Sequence, residues 1–225
     1  MGKYNVPALE KAIAILELIS GSKEKLTSSE IGAKLSLPKA TVFTTLSTLE
    51  AHNIVQKDQS GKYYIGPKLF QLGMAYASDN SIVELSKPYL KKLMEQTGFT
   101  VHLGVLHDDQ VMYVAKVEPD NFIKFSTYPG MKTEIHISSL GKAIAAYLSE
   151  SELDRILSKV GMAKHTPKTI TSVSEFKKGL DFVRNNGYAL EDEEGEIGVR
   201  CIGAPIINTR FTTPAAISVT AHISQ

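Results

Sequence analysis

Apolar residues recur at helical spacing through the first fifty positions, in three separate runs. In "ALEKAIAILELIS", Leu9, Ala12, Ile13, Leu16 and Ile19 predict the core face of a helix over residues 8–19. "SGSKEKL" reads as a loop. "TSSEIGAKLS" then pairs Ile31 with Leu35 at i, i+4, and Thr27 with Glu30 three residues on has the spacing of a capping box. A turn over residues 35–38 leads to "LPKATVFTTLSTLE", where Val42, Leu46 and Leu49 form one apolar stripe. Pro38 sits at the start, where a proline is tolerated. "NIVQKDQSGKYYIG" next reads as strand, turn at Gln59-Ser60-Gly61, and strand.

The third run has an unusual outer face. Ala40, Thr41, Thr44, Ser47 and Thr48 stand opposite the apolar stripe, where a water-facing helix would carry Lys, Glu and Gln. Helix, helix, short turn, helix and hairpin is the order of a winged helix-turn-helix, whose third helix enters the major groove. A groove about 12 Å wide accepts short side chains close to its floor. Hydroxyls at Thr41, Thr44, Ser47 and Thr48 would then meet bases or phosphates, and the threonine methyls the thymine methyl, with Thr45 a further candidate DNA contact. Lys39 at the helix start and Lys57 or Lys62 on the hairpin are candidate phosphate contacts, which position without specifying. The bland alternative is a trihelical unit whose threonine face binds another protein.

Beyond residue 66 the helical period continues at Leu69, Leu72 and Tyr76. It breaks at Ser78-Asp79-Asn80-Ser81 and resumes at Leu85, Tyr89 and Leu93, with Gly98 as a C-terminal stop. From Thr100 the period becomes two. "TVHLGVL", a turn at "HDDQ", and "VMYVAKV" predict a hairpin, with "FIKFST" as a third strand before a Pro129-Gly130 turn. "SSLGKAIAAYLS" reads as a buried helix. Ser149 with Glu152, and Ser172 with Glu175, open two further helices at capping-box spacing, the second closed by Gly187. A short "YAL", an acidic "EDEEGEIG", and the apolar runs "CIGAPII" and "AAISVTAHI" complete an α+β domain around one mostly antiparallel sheet.

Composition adds mainly exclusions. The chain has 225 residues, 43% hydrophobic and 22% charged, with a net charge of +1. No apolar run reaches the ~18 residues of a membrane span. The opening segment is an amphipathic helix, not a signal peptide. The single cysteine, Cys201, fits a reducing cytoplasm. Residues 1–80 hold nine lysines, seven acids and no arginine, so DNA contact there relies on Lys, hydroxyls and backbone N–H groups. The six histidines are scattered without metal-ligand spacing, and no HExxH, CxxC, Walker A, dinucleotide fingerprint or nucleophile elbow occurs. His102, on a strand, reads as a half-buried histidine before it reads as a ligand. No metal or cofactor is expected. Cys201 near a histidine would be a thiol nucleophile, the competing enzyme reading.

Four stretches together resemble the IclR family of bacterial transcriptional regulators: "ALEKAIAILELI", "KATVFTTLSTLEAHNIVQKDQSGKYYIGPKLFQLG", "HISSLGKAIAAYL" and "NNGYALEDEEGEIGVRCIGAPII". The resemblance spans nearly the whole chain. It implies two domains: a winged helix-turn-helix DNA-binding domain over residues 1–66, a linker helix over 67–81, and a profilin- or GAF-like α+β effector-binding domain over 82–225. It also implies a cytoplasmic regulator, repressor more than activator, bound to a pseudo-palindromic double-stranded operator and tuned by a small organic acid. Such proteins dimerise through the N-terminal part and pair as dimers of dimers through the C-terminal one. Effector-binding positions carried over by the resemblance are Ser139, Leu140, Gly141, Glu191, Asp192, Cys201, Ser218 and Thr220. The chain departs from the family pattern in having Thr44 where Arg is usual, Ser36 where Gly is common, and "NTRFTTP" between Ile207 and Ala215. Without that Arg, guanine loses its best bidentate partner, and an A/T-leaning half-site is expected.

Overall fold

A computed structural model describes residues 5–79, 81–207 and 214–225. The "NTRFTTP" turn and Asn80 of the polar break fall wholly or largely outside the described residues, as does the Tyr76 side chain. The chain divides into two compact units, residues 1–79 and 80–225.

In the first unit, α1 (Pro7–Gly21), α2 (Ser28–Leu35) and α3 (Lys39–Ala51) pack around Ile15, Ile19, Ile31, Val42, Leu46, Leu49 and Val55. The expected core face of α1 holds at Ala12, Leu16 and Ile19, which pack into this core, but is rotated away from Leu9 and Ile13 toward Ile15. Ile15 is fully buried, whereas Leu9 and Ile13 are about half exposed, at 59% and 47%, beside Val6 at 61%. The helix carries two apolar faces, and the sequence pattern alone does not rank them. Thr27 caps α2 as the spacing predicts: Glu30 N–H donates to Thr27 Oγ1 at 3.3 Å, and Thr27 N–H donates to Glu30 Oε2 at 2.7 Å. Ser36, at φ 54°, closes α2 in the left-handed region, which accounts for the usual preference for glycine there. The wing has three strands, not two. β1 (Leu26–Thr27), β2 (Val55–Lys57) and β3 (Lys62–Ile65) form a sheet in the order β1-β3-β2, with Leu26 opposite Tyr63. Its turn is built on Asp58, whose Oδ1 accepts from Ser60 N–H, Ser60 Oγ and Lys62 N–H. α4 (Pro67–Asp79) follows, with Phe70, Leu72 and Met74 exposed.

The second unit begins with α5 (Ser81–Thr97). Here the expected face is again rotated: Leu85 and Tyr89 are exposed, and Ile82, Val83 and Leu90 are buried. The strands are β4 (Thr100–His107), β5 (Gln110–Val117), β6 (Lys132–Thr133), β7 (Ala189–Asp192), β8 (Val199–Ile206) and β9 (Ala215–His222). They form one antiparallel sheet in the order β6-β5-β4-β9-β8-β7. "FIKFST" is not a strand. Residues 118–131 run irregularly, held in part by Lys116 Nζ donating to Phe125 O at 2.7 Å, and the edge pairing falls to Lys132–Thr133. α6 (Ser139–Ala145), α7 (Glu150–Val160) and α8 (Val173–Asn186) lie between β6 and β7 in sequence, with Ser149 and Ser172 capping α7 and α8.

Strand alternation divides the sheet between two cores. Val101, Leu103 and Val105 of β4 pack with Ile82, Val83 and Leu90 of α5. The opposite face meets α6, α7 and α8 through Val111, Ala189 and Ala216, with Ile144, Ile156, Phe176 and Leu180. Thr100 and His102 fall on this second face by the period of two. Polar residues on a buried face mark where the packing is interrupted.

Candidate functional site

The interruption is a cavity of about 210 Å³ in the second unit. It is smaller than the ~300 Å³ lower end of ordinary drug-sized pockets. Sheet register assembles its floor. Glu191 pairs with Cys201, Cys201 with Thr220, and Ser218 with His102 across β7, β8, β9 and β4. Ser139 and Leu140, at the start of α6, close one side, and Phe125, Ser126 and Thr127 of the irregular segment contribute to the other walls. α6 can approach the sheet because residue 203 is glycine: a Cβ there would meet Ser139 O at 2.5 Å.

A continuous polar chain crosses the floor. Cys201 Sγ lies 3.4 Å from Thr220 Oγ1, which lies 3.3 Å from His102 Nδ1, while His102 Nε2 is 2.7 Å from Thr127 Oγ1. Burial, reinforced by the Lys116 charge, holds the His102 pKa down at about 4, so the ring is neutral. Burial likewise pushes the neighbouring Tyr113 phenol up to about 12. Glu191 is 4% exposed, and its Oε1 accepts from Glu194 N–H at 2.6 Å and Gly195 N–H at 3.2 Å. Burial raises its pKa even against those two bonds. The Cys201 thiol is pushed far above its ordinary range, first by burial and then by the Glu191 charge. A thiol so disfavoured as thiolate is a poor nucleophile.

Six of the eight residues expected at an effector site line this cavity: Ser139, Leu140, Glu191, Cys201, Ser218 and Thr220. Gly141 and Asp192 do not. The Gly141 N–H is taken by Ser138 Oγ at 3.0 Å, as the cap of α6, so it is not offered to a ligand. Asp192 is exposed and ion-paired with Lys168 and Arg200. Strand alternation places it opposite Glu191. His102, Tyr113, Thr127 and Ser138 were not foreseen as lining residues. A polar Thr100–His102 pair inside an otherwise apolar strand was the available signal. The remaining acids of the 191–196 loop turn inward in part: Glu194 is buried on Lys142, and Glu193 pairs with Lys168.

On the first unit, α3 buries Val42, Leu46 and Leu49 and presents Lys39, Thr44, Ser47 and Thr48 to solvent, with Thr41 and Thr45 half-buried at the margins. The hydroxyls of Thr44 and Thr48 are engaged within the helix. Thr44 Oγ1 donates to Ala40 O at 3.0 Å, and Thr48 Oγ1 to Thr44 O at 2.9 Å. What they offer outward is a methyl and an acceptor lone pair. Phe43, 64% exposed, stands on the same helix and was missing from the sequence reading. Lys57 is exposed with Nζ 5.5 Å from the Tyr63 ring centre, and Lys62 is half-buried.

A winged helix-turn-helix followed by an α+β unit whose cavity has a polar floor defines an effector-responsive DNA-binding regulator. Residues 8–59 match the IclR helix-turn-helix domain, and residues 74–225 match the bacterial transcriptional regulator IclR C-terminal domain. The chain belongs to the IclR family of bacterial transcriptional regulators. It is 35% identical to the HTH-type transcriptional regulator BhcR of Paracoccus denitrificans, over 95% of this chain and 77% of that one. To the HTH-type transcriptional repressor AllR of Escherichia coli it is 30% identical, over 97% and 81%. An IclR-type transcriptional regulator from Alicyclobacillus acidocaldarius superposes with a TM-score of 0.87 at 30% identity, covering 98% of this chain and 90% of that one. The protein is thus a transcriptional regulator and not an enzyme, in line with the suppressed thiolate of Cys201.

Proposed function

We propose that this regulator is a cytoplasmic homodimer that represses its targets from a pseudo-palindromic operator and that a small carboxylic acid in the second unit tunes its affinity for DNA. The cavity carries the effector part of the reading. It is small, polar on its floor, and holds Ser218, Thr220 and Ser139 hydroxyls beside the N-terminal end of α6. A carboxylate there accepts from hydroxyls and from Glu191 in its protonated form, the form that burial favours. An IclR homolog from Microbacterium hydrocarbonoxydans, of the same fold at 19% identity and a TM-score of 0.85 over 97% of this chain and 90% of that one, was crystallised with 4-hydroxybenzoate. That makes aromatic hydroxy acids sensible first probes.

Lys39, Thr41, Thr44, Thr45 and Thr48 face the groove, with Phe43 against thymine methyls and Lys57 and Lys62 on phosphates. Two-fold dimers place half-sites about one helical turn apart, or multiples of it. Leu9 and Ile13 on α1, with Val6 just before it, are exposed and supply an apolar stripe for a second copy. Further pairing through the second unit, which the family resemblance implies, gives a dimer of dimers. The effector acts by linkage: it moves the equilibrium only by its differential affinity for two conformations, with residues 67–81 joining the two domains. Fluorescence anisotropy of the full-length protein on duplex DNA from upstream of its own gene tests this, with a scrambled duplex and two salt concentrations. Salt-sensitive preference for the native duplex, altered by a member of a small-acid panel, is the expected result. A winged unit that binds only proteins predicts no DNA affinity at all.

A further inference from the structure

Away from the effector cavity, Glu134 and His136 lie on the stretch between β6 and α6, and His165 on the segment after α7. One ligand atom from each lies within 4.8 Å of the others. His136 is fully buried, and its Nε2 is 3.0 Å from Ala163 O. A carbonyl oxygen only accepts, so Nε2 carries the hydrogen and Nδ1 of the neutral ring is a lone pair. That Nδ1 has no hydrogen-bond partner and sits 3.4 Å from Glu134 Oε2, acceptor facing acceptor. His165 Nε2 is 3.4 Å from the same carboxylate oxygen. Leaving a buried acceptor unsatisfied is costly, and native structures rarely do so without a reason.

We propose that Glu134, His136 and His165 bind a divalent transition-metal ion of the Zn²⁺ class, through Oε2, Nδ1 and Nε2. Zinc bonds of about 2.0–2.2 Å in a tetrahedron set ligand atoms about 3.4 Å apart, and two of the three separations already have that value. The Nε2–H bond to Ala163 O is the outer contact that fixes the ring and leaves Nδ1 for the metal. Two imidazoles and one carboxylate select such an ion over Mg²⁺ or Ca²⁺, which prefer all-oxygen sites. The His165 side chain, 36% exposed, gives an entry path and leaves the fourth position to water.

The site ties two segments that also frame the cavity. Ser138, two residues past His136, caps α6, and Thr166 and Thr169 hydroxyls donate to Glu193 O and Glu194 O at 2.6 and 2.7 Å. Metal binding therefore stiffens the cavity's rim without entering it, and it stands independently of the effector reading.

The test is titration of chelator-stripped full-length protein with Co²⁺, read by its visible absorption, and with Zn²⁺ against a chromophoric chelator. One equivalent per chain is expected, weakened at least tenfold by Glu134→Gln and by His165→Ala, and unchanged by Cys201→Ser. Circular dichroism establishes that each variant is folded; one keeps the carboxyl shape and the other removes a partly exposed ring, so they report independently. No stoichiometric binding, binding indifferent to both variants, or binding lost with Cys201→Ser would overturn the proposal. A proton on His136 in place of a metal predicts the first of these.

Discussion

His102 Nδ1 lies 3.3 Å from Thr220 Oγ1, inside a cavity where the imidazole is kept neutral by burial. The unfolded chain's histidine titrates near 6.5, and the folded one at about 4. Between these values the unfolded state holds a proton that the native state lacks. Stability from this residue is therefore complete above pH 6.5 and falls as the pH drops toward 4, by roughly 3 kcal/mol at most. Denaturant unfolding of wild type and His102→Asn at pH 7 and pH 4.5 checks it. The variant should lose markedly less stability over that interval; equal losses would mean that His102 is not held neutral.

Glu191 carries the second prediction. Its pKa is raised by burial, and a bound carboxylate raises it further. Acid binding should then take up a proton, and affinity for an anionic effector such as 4-hydroxybenzoate should rise as the pH is lowered toward the raised pKa of Glu191. Glu191→Gln should flatten the dependence while retaining binding. Calorimetry in buffers of different ionisation enthalpy measures the proton uptake directly.

Much of this architecture was legible beforehand, and the failures share one cause. Capping signals at Thr27, Ser149 and Ser172 mark real helix starts because they act within a single turn. The order of helices, hairpin and sheet follows from the same local signals. The rotated faces of α1 and α5 escape notice because each helix carries apolar residues on two sides, and only tertiary packing chooses. Strand β1 is two residues long and exists by pairing with Tyr63 and Lys62. Six cavity residues were reached through the family resemblance, while His102, Tyr113 and Thr127 come together only through sheet register and an irregular loop. Glu134 and His136 share one segment and His165 lies on another, after α7, so the three show no ligand spacing in sequence.

Gly141 has a structural role in place of the expected ligand contact. A Cβ at this position would meet Ile135 O at 2.3 Å and Ile135 Cα at 2.4 Å, both backbone atoms. Gly141→Ala should destabilise the second unit by about 3 kcal/mol or more, since neither backbone segment can move without disturbing the α6 cap. Thermal unfolding reports the loss. A variant with unchanged midpoint would show that the turn before α6 yields freely.

The exposed stripe of α1 predicts an oligomerisation phenotype. Leu9→Glu with Ile13→Glu adds two charges to positions that are already solvent-facing in the single chain, so the monomer should remain folded. Dimer dissociation should strengthen at least a hundredfold in sedimentation equilibrium, with loss of operator binding. A double variant that still dimerises would direct attention to α4, where Phe70 and Leu72 are also exposed.

The outer face of α3 allows DNA contact to be separated from folding. Thr44 and Thr48 are exposed, and their hydroxyls bond only their own helix, so replacing them removes no tertiary contact shown by those bonds. Glutamate at both positions puts negative charge where the phosphates approach and lengthens side chains meant for a close groove. Operator affinity should fall at least a hundredfold, while oligomeric state is unchanged and the melting midpoint moves by no more than about 2 °C, as exposed substitutions usually allow. Anisotropy titration and thermal melting on the same preparation decide it. Loss of fold would mean that these threonines are packed in solution; retained binding would move the DNA interface off α3. Phe43→Ala sharpens the result, since removing an exposed ring should weaken binding most on half-sites rich in thymine and leave stability intact.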